Sequence, residues 1–180
     1  MEHVYIGSNP IFPAMKIYTS YFYQIRNFKP YMIPVSTALW DPKWFHDFTG
    51  SYDYIFRDKR GIWNGLRADI LHFPKEKYID NNMCGEACLM EPKDPSRCGF
   101  MTELAQYYNT IDFNYLLSNF ERLANKIKEI EKFEEEPIIV LIVYEIPSNK
   151  CSEREVLHKW FKQNGYNLTE LSYPIGENYL

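Results

Sequence analysis

The run Ile138-Ile139-Val140-Leu141-Ile142-Val143-Tyr144 is almost unbroken in β-branched and large apolar side chains. A strand with one face in water alternates apolar and polar residues, so a continuous run demands cover on both faces. That is the condition of a central strand in a parallel sheet flanked by helices. The run lies within a strand predicted from Pro137 to Ile146, and Pro147 to Lys150 follows as a short polar loop. Ser152 has the chemistry of an N-cap for a helix running to about Gln163, and Gly165 stands just beyond as its stop. This succession predicts an α/β fold, a three-layer, mostly parallel sheet flanked by helices, with a cysteine-containing insertion.

Weaker signals fill in the rest of the chain. Residues 1–13 read as an N-terminal extension, with a short strand at Val4-Tyr5-Ile6 followed by the breakers Gly7, Asn9, Pro10 and Pro13. Short apolar runs predict strands at Met15 to Ser20 and Tyr31 to Thr37. From Ala38 to Pro74 no period is clean, and short helices are expected around Pro42 to Asp47 and Tyr52 to Arg57. Irregular stretches of this length tend to carry binding residues. Phe113, Leu116, Leu117, Phe120, Leu123, Ala124, Ile127 and Ile130 recur at three- and four-residue steps, so Asp112 to Lys132 reads as a long amphipathic helix. Leu168 to Tyr173 would form the last strand.

At 180 residues the chain suits a single domain, able to bury roughly 70% of its unfolded surface. A net charge of -4 and a pI near 5.6 exclude a dominant basic field for nucleic acid or anionic membrane. A local basic stretch runs through Arg57, Lys59, Arg60 and Arg67, and the acidic run Glu134-Glu135-Glu136 reads as a solvated loop. No stretch approaches the roughly 18 apolar residues of a membrane span, and no basic region followed by an apolar signal core opens the chain. The expectation is a cytoplasmic protein with no membrane partner.

Ligands of open α/β sheets bind beyond the carboxyl ends of the strands, where a helix N-terminus offers free N–H groups and partial positive charge. Cys151, Ser152, Glu153 and Arg154 occupy that position. Here Cys151 has the setting of a lowered-pKa nucleophile. The amides of Ser152 and Glu153 would receive an anion, and Arg154 or Arg67 would clamp it. The alternative is structural: Cys151 as a small packed residue, Ser152 as a cap, Glu153 and Arg154 as solvated charges. The phosphatase loop needs an arginine six residues after its cysteine, and position 157 is leucine. His158 lies about two helical turns past Cys151, too far to act as its base. Tyr18, Ser20, Ser36 and Trp40 are expected to line the mouth at the ends of the first two strands.

Cys84, Cys88 and Cys98 lie in a polar, proline-containing segment, residues 82–99. Three thiolates so placed suit a zinc site, with His72, Cys151 or another histidine as fourth ligand. An iron–sulfur cluster, free thiols and a disulfide are the alternatives. Trp40 and Trp44, with Phe45, His46 and Trp63, are either core or a stacking surface for a base.

The pieces Lys16-Ile17-Tyr18-Thr19-Ser20, Ile33-Pro34-Val35-Ser36, Gly65-Leu66-Arg67, Ile142-Val143-Tyr144-Glu145, Cys151-Ser152-Glu153-Arg154 and Trp160-Phe161, in this order, resemble the domain-of-unknown-function family numbered four-eight-eight. The resemblance runs from Lys16 to about Leu171. Many members look like Cys-His-Arg at the turn where this chain has Ser152 and Glu153 between Cys151 and Arg154. The resemblance implies a three-layer α/β fold with a pocket at this turn, and no agreed reaction.

Taken together, these features lead to the expectation of a small enzyme acting on a nucleotide, nucleic acid or other phosphate-containing ligand. The alternatives are a non-catalytic binding module for such ligands, or a metal-stapled domain for a protein partner.

Overall fold

The apolar run does form the centre of a sheet. A computed structural model of the chain describes residues 15–46, 55–76 and 95–171. In it β1 (Lys16–Tyr21), β2 (Met32–Ser36), β5 (Ile138–Val143) and the two-residue β6 (Thr169–Glu170) form one parallel sheet in the order β2-β5-β1-β6. Each of Ile139 to Val143 in β5 is buried. A short antiparallel pair, β3 (Phe56–Arg57) and β4 (Trp63–Asn64), stands apart. The α-helices are α1 (Gly99–Tyr108), α2 (Phe113–Glu131) and α3 (Glu153–Gln163).

The order of the strands determines which connection covers which face. Passage from β1 to β2 moves two places in one direction, whereas β2 to β5 and β5 to β6 move back in the other. Right-handed crossovers therefore put the first connection on one face and the later two on the opposite face. Packing of the three helices agrees with this, although Phe45 and Ile62 of the β2-to-β5 connection fold back onto the first face. Ile17, Ile33, Val35, Ile139, Leu141 and Val143 pack with Leu104 and Tyr108 of α1, Leu116 and Phe120 of α2, and Leu157 and Phe161 of α3. On the other side Val140 and Ile142 pack with Phe22, Ile25, Phe28, Phe45 and Ile62, where a 3-10 helix spans Phe22–Asn27. The sheet is the middle of three layers. Because β1 and β5 are neighbours whose outgoing connections leave over opposite faces, their carboxyl ends lie at a topological switch point, the position where open α/β sheets bind ligands.

Local chemistry accounts for the long helices. Asp112 caps α2 by accepting from the Tyr115 amide at 3.1 Å, and Ser152 caps α3 by accepting from the Arg154 amide. Beyond α3, Gly165 has a φ of 82°, the left-handed conformation that costs glycine least. Lys132 takes a similar position after α2 at φ 54°, its amide returning to the Lys128 carbonyl at 2.8 Å.

Several sequence expectations require correction. Where a helix was expected from Pro42, the described residues make one turn, closed by the Phe45 amide on the Pro42 carbonyl at 2.9 Å. Phe56 and Arg57, expected to end a helix, are strand, because Phe56 registers with Asn64 and Arg57 with Trp63. Segment 66–68 extends the sheet edge: Ser36 bridges Arg67 in parallel, and the Ala68 amide reaches the Ser36 carbonyl at 2.9 Å. Val4 to Ile6 lie outside the described residues. No helix among the described residues is long and apolar enough to cross a membrane.

Candidate functional site

Strand alternation divides the polar side chains at the carboxyl edge between the two faces. On the helical side Thr19 donates to Glu170 Oε2 at 2.7 Å and meets His158 Nε2 at 2.6 Å. Thr19 has one hydroxyl proton, and Glu170 receives it, so His158 donates from Nε2 and its Nδ1 is left as an acceptor. Burial, foremost, lowers the His158 pKa, in keeping with a neutral ring. Arg154 Nε donates to the same Glu170 oxygen at 2.7 Å, and its Nη2 donates to the Glu145 carbonyl at 2.8 Å. Its Nη1 is buried without a hydrogen-bond partner among the described residues, as are Ser20 Oγ and the Tyr108 hydroxyl.

Beside this network lies a buried carboxyl. Glu153 is 8% exposed and accepts from Thr37 Oγ1 at 2.9 Å. Burial first, then the neighbouring Glu145 carboxylate, push its pKa well above the usual glutamate range, against the opposing pull of the Thr37 hydrogen bond and Arg154. Glu153 therefore holds its proton to a higher pH than an ordinary glutamate does. Burial also raises the Tyr108 hydroxyl well above its ordinary value, with the Glu153 charge a smaller cause.

At the turn expected to seat an anion on the Ser152 and Glu153 amides, the residues are buried. Ser152 and Arg154 are 0% and 2% exposed. The Cys151 amide donates to Asn149 Oδ1 at 3.0 Å, and the Arg154 amide donates to Ser152 Oγ at 3.1 Å. Ser152 Oγ in turn donates to Glu145 Oε2 at 3.1 Å. The Glu145 carboxylate is thus linked to the N-terminus of α3 through the Ser152 hydroxyl, a favourable place for negative charge. Arg154 is not a free clamp, since Glu170 and the Glu145 carbonyl hold its fork. Cys151 is half-buried in the loop between Tyr144 and α3.

On the opposite side Ser36 Oγ donates to Asp41 Oδ1, and Arg67 Nη1 donates to Asp41 Oδ2 at 2.5 Å. Arg67 Nη2 meets His72 Nδ1 at 2.6 Å, and the other ring nitrogen of His72 lies 3.3 Å from the Ser36 carbonyl. The His72 pKa is lowered, by burial and then by the Arg67 charge. Arg67 is thus committed to Asp41 and His72. Two more cations of the basic stretch are similarly offset, Arg57 pairing with Glu131 at 2.8 Å and Arg60 with Asp58 at 2.6 Å.

The rim on this side is aromatic. Trp44 and Tyr144 remain 46% and 65% exposed, and both meet the ring of Phe22, at 6.1 and 6.2 Å between centroids. Trp40 does not join them; Lys75 Nζ sits 5.5 Å from its ring centre. Tyr18 lies mid-strand in register with Val140, away from the mouth where it was expected. Cys84 and Cys88 lie outside the described residues, and Cys98 is buried just before α1. Among the described residues, no group of three or more His, Cys, Asp or Glu is arranged to hold a metal.

Sequence reasoning placed Ser20, Ser36, Ser152, Glu153 and Arg154 at this edge but missed Thr37, Asp41, Glu145 and Glu170 as partners there, and Tyr144 as part of the rim. One signal was available: Tyr144 and Glu145 follow the strand directly, where side chains must face its carboxyl end. Comparison with family models, curated proteins and solved structures gives no match.

Proposed function

We propose that the chain binds a small nucleobase-containing molecule at the aromatic rim of the sheet, with Trp44 and Tyr144 as the stacking surface. The observation that carries this reading is the pair of exposed rings held edge-on against Phe22 at the switch point between β1 and β5. Exposed rings fixed in place lose little freedom when a base stacks on them. The charge balance favours a base or nucleoside over a polyphosphate. Asp41, Glu145 and Glu170 face Arg67 and Arg154, and both arginines are already engaged. The resemblance to the family numbered four-eight-eight is a proposal of the same kind, supported by the neighbouring positions of its pieces on β1, β2 and β5.

Tryptophan fluorescence titrated with nucleosides and with their triphosphates tests the reading. Nucleosides should quench the signal, and Trp44→Ala or Tyr144→Ala should weaken binding by about 1–3 kcal/mol each. Variants that bind like the parent, or the absence of any nucleoside response, would refute it.

A second reading, an enzyme acting on this ligand, is favoured by the buried Glu153, whose pKa is raised, and the half-buried Cys151 close by in sequence. Buried acids with displaced pKa values are typical of catalytic sites. Chromatography of nucleosides after incubation should then reveal a product, and Cys151→Ala should abolish it if the thiol is the nucleophile.

A further inference from the structure

A groove of about 1060 Å³ separates α1 from α3 on the helical face, away from the aromatic rim. Its floor is apolar, formed by Met101, Ala105, Val156, Trp160 and Leu168. Its charged lining is Lys150, Lys159 and Lys162 against Glu155, while burial lowers the pKa of His158. Glu155 is 3.5 Å from Lys150, so the two largely offset one another. Lys159 and Lys162 are exposed and form no ion pair with a described residue. Glu103, the acidic residue of α1, is not part of the lining. On a chain of net charge -4, this groove is locally positive.

We propose that the groove between α1 and α3 docks an acidic, partly apolar peptide segment of a partner protein. Charge complementarity selects an acidic occupant, and the apolar floor requires that it also carry side chains such as leucine. The floor favours a peptide over a nucleic acid, because Met101, Ala105, Val156 and Leu168 suit aliphatic side chains, which a nucleic acid lacks. Gln106, Asn109, Gln163 and Asn167 line the groove and offer both donors and acceptors, which match the N–H and C=O groups of a peptide backbone. A phosphodiester backbone presents acceptors alone. Trp160, the large aromatic side chain of the lining, is buried beneath the groove surface and offers no stacking platform for bases.

Fluorescence anisotropy of the full chain with three labelled probes tests the proposal: a mixed glutamate–leucine peptide, its lysine–leucine counterpart, and oligothymidylate. The glutamate–leucine peptide should bind in preference to the other two, and added salt should weaken it. The double variant Lys159→Glu, Lys162→Glu changes only exposed side chains, and circular dichroism would verify that it folds as the parent does. It should bind the acidic peptide about tenfold more weakly or worse. The proposal is overturned if the acidic peptide fails to bind, if oligothymidylate or the lysine peptide binds better, or if the folded double variant keeps full affinity. Because Trp44 and Tyr144 lie outside this groove, their alanine variants should leave peptide affinity unchanged, and a loss there would also overturn the assignment of the groove.

Discussion

Replacement of Glu153 by glutamine separates two descriptions of the strand-end cluster that differ in sign. Burial and the Glu145 carboxylate raise the folded-state pKa of Glu153, so the folded chain keeps this proton while the unfolded glutamate loses it above a pH of about 4.3. Between the unfolded and the folded pKa the native state binds more protons, and rising pH therefore costs stability, at about 1.4 kcal/mol per pH unit for one group. Glutamine has nearly the same shape, has no proton to lose, and its side-chain oxygen can still accept from Thr37 Oγ1, as Glu153 does at 2.9 Å. The stability of Glu153→Gln relative to the parent should thus climb by about 1.4 kcal/mol for each pH unit above the unfolded pKa, and level off at the folded one. Urea unfolding of both proteins across a pH series measures that difference directly. The alternative is an ionised Glu153 held by Arg154. Glutamine would then leave a buried arginine less well paired and destabilise the fold by about 3 kcal/mol at neutral pH, with no upward slope. A flat or falling difference would refute the protonated-acid description.

Two further outcomes follow from the fold and the cysteine segment. Lys132→Gly should raise the melting temperature, since a non-glycine residue at φ 54° carries a cost of about 1 kcal/mol that glycine avoids; an unchanged or lower value in thermal unfolding would count against strain at that cap. Protein purified without chelator should carry about one zinc per chain if Cys84, Cys88 and Cys98 ligate a metal, and elemental analysis finding neither zinc nor iron would remove that proposal.

What the sequence reveals here depends on whether the signal is local. The apolar run of β5, the serine cap of α3 and the three- and four-residue steps of α2 each encode their structure within a few residues, and each element forms near its expected bounds. The 3-10 helix Phe22–Asn27 and the two-residue strands β3 and β4 are too short to establish a period, and their conformations depend on packing from elsewhere. Helix α1 begins immediately after Cys98 without a side-chain cap, so nothing in that stretch marks its start.

The same distinction governs the site. Cys151 to Arg154 were legible as a helix opening because capping is a local signal, but whether such an opening faces a ligand depends on residues far away in the chain. Thr37 reaches Glu153 across 116 positions, Thr19 reaches Glu170 across 151, and Arg67 finds Asp41 across 26. Each of these contacts uses a group that a sequence reading would have left available to substrate. The sheet register creates them by aligning Ser20 and Ser36 with Ile142, so that the next residues converge on a single edge. A helix N-terminus with adjacent arginines is left open to an anion only when the strand ends beside it lack carboxylates, and here Glu145 engages the capping Ser152 and Glu170 engages Arg154. The groups left facing outward at the rim are aromatic, which is why the functional proposal rests on Trp44 and Tyr144 instead of the helix amides.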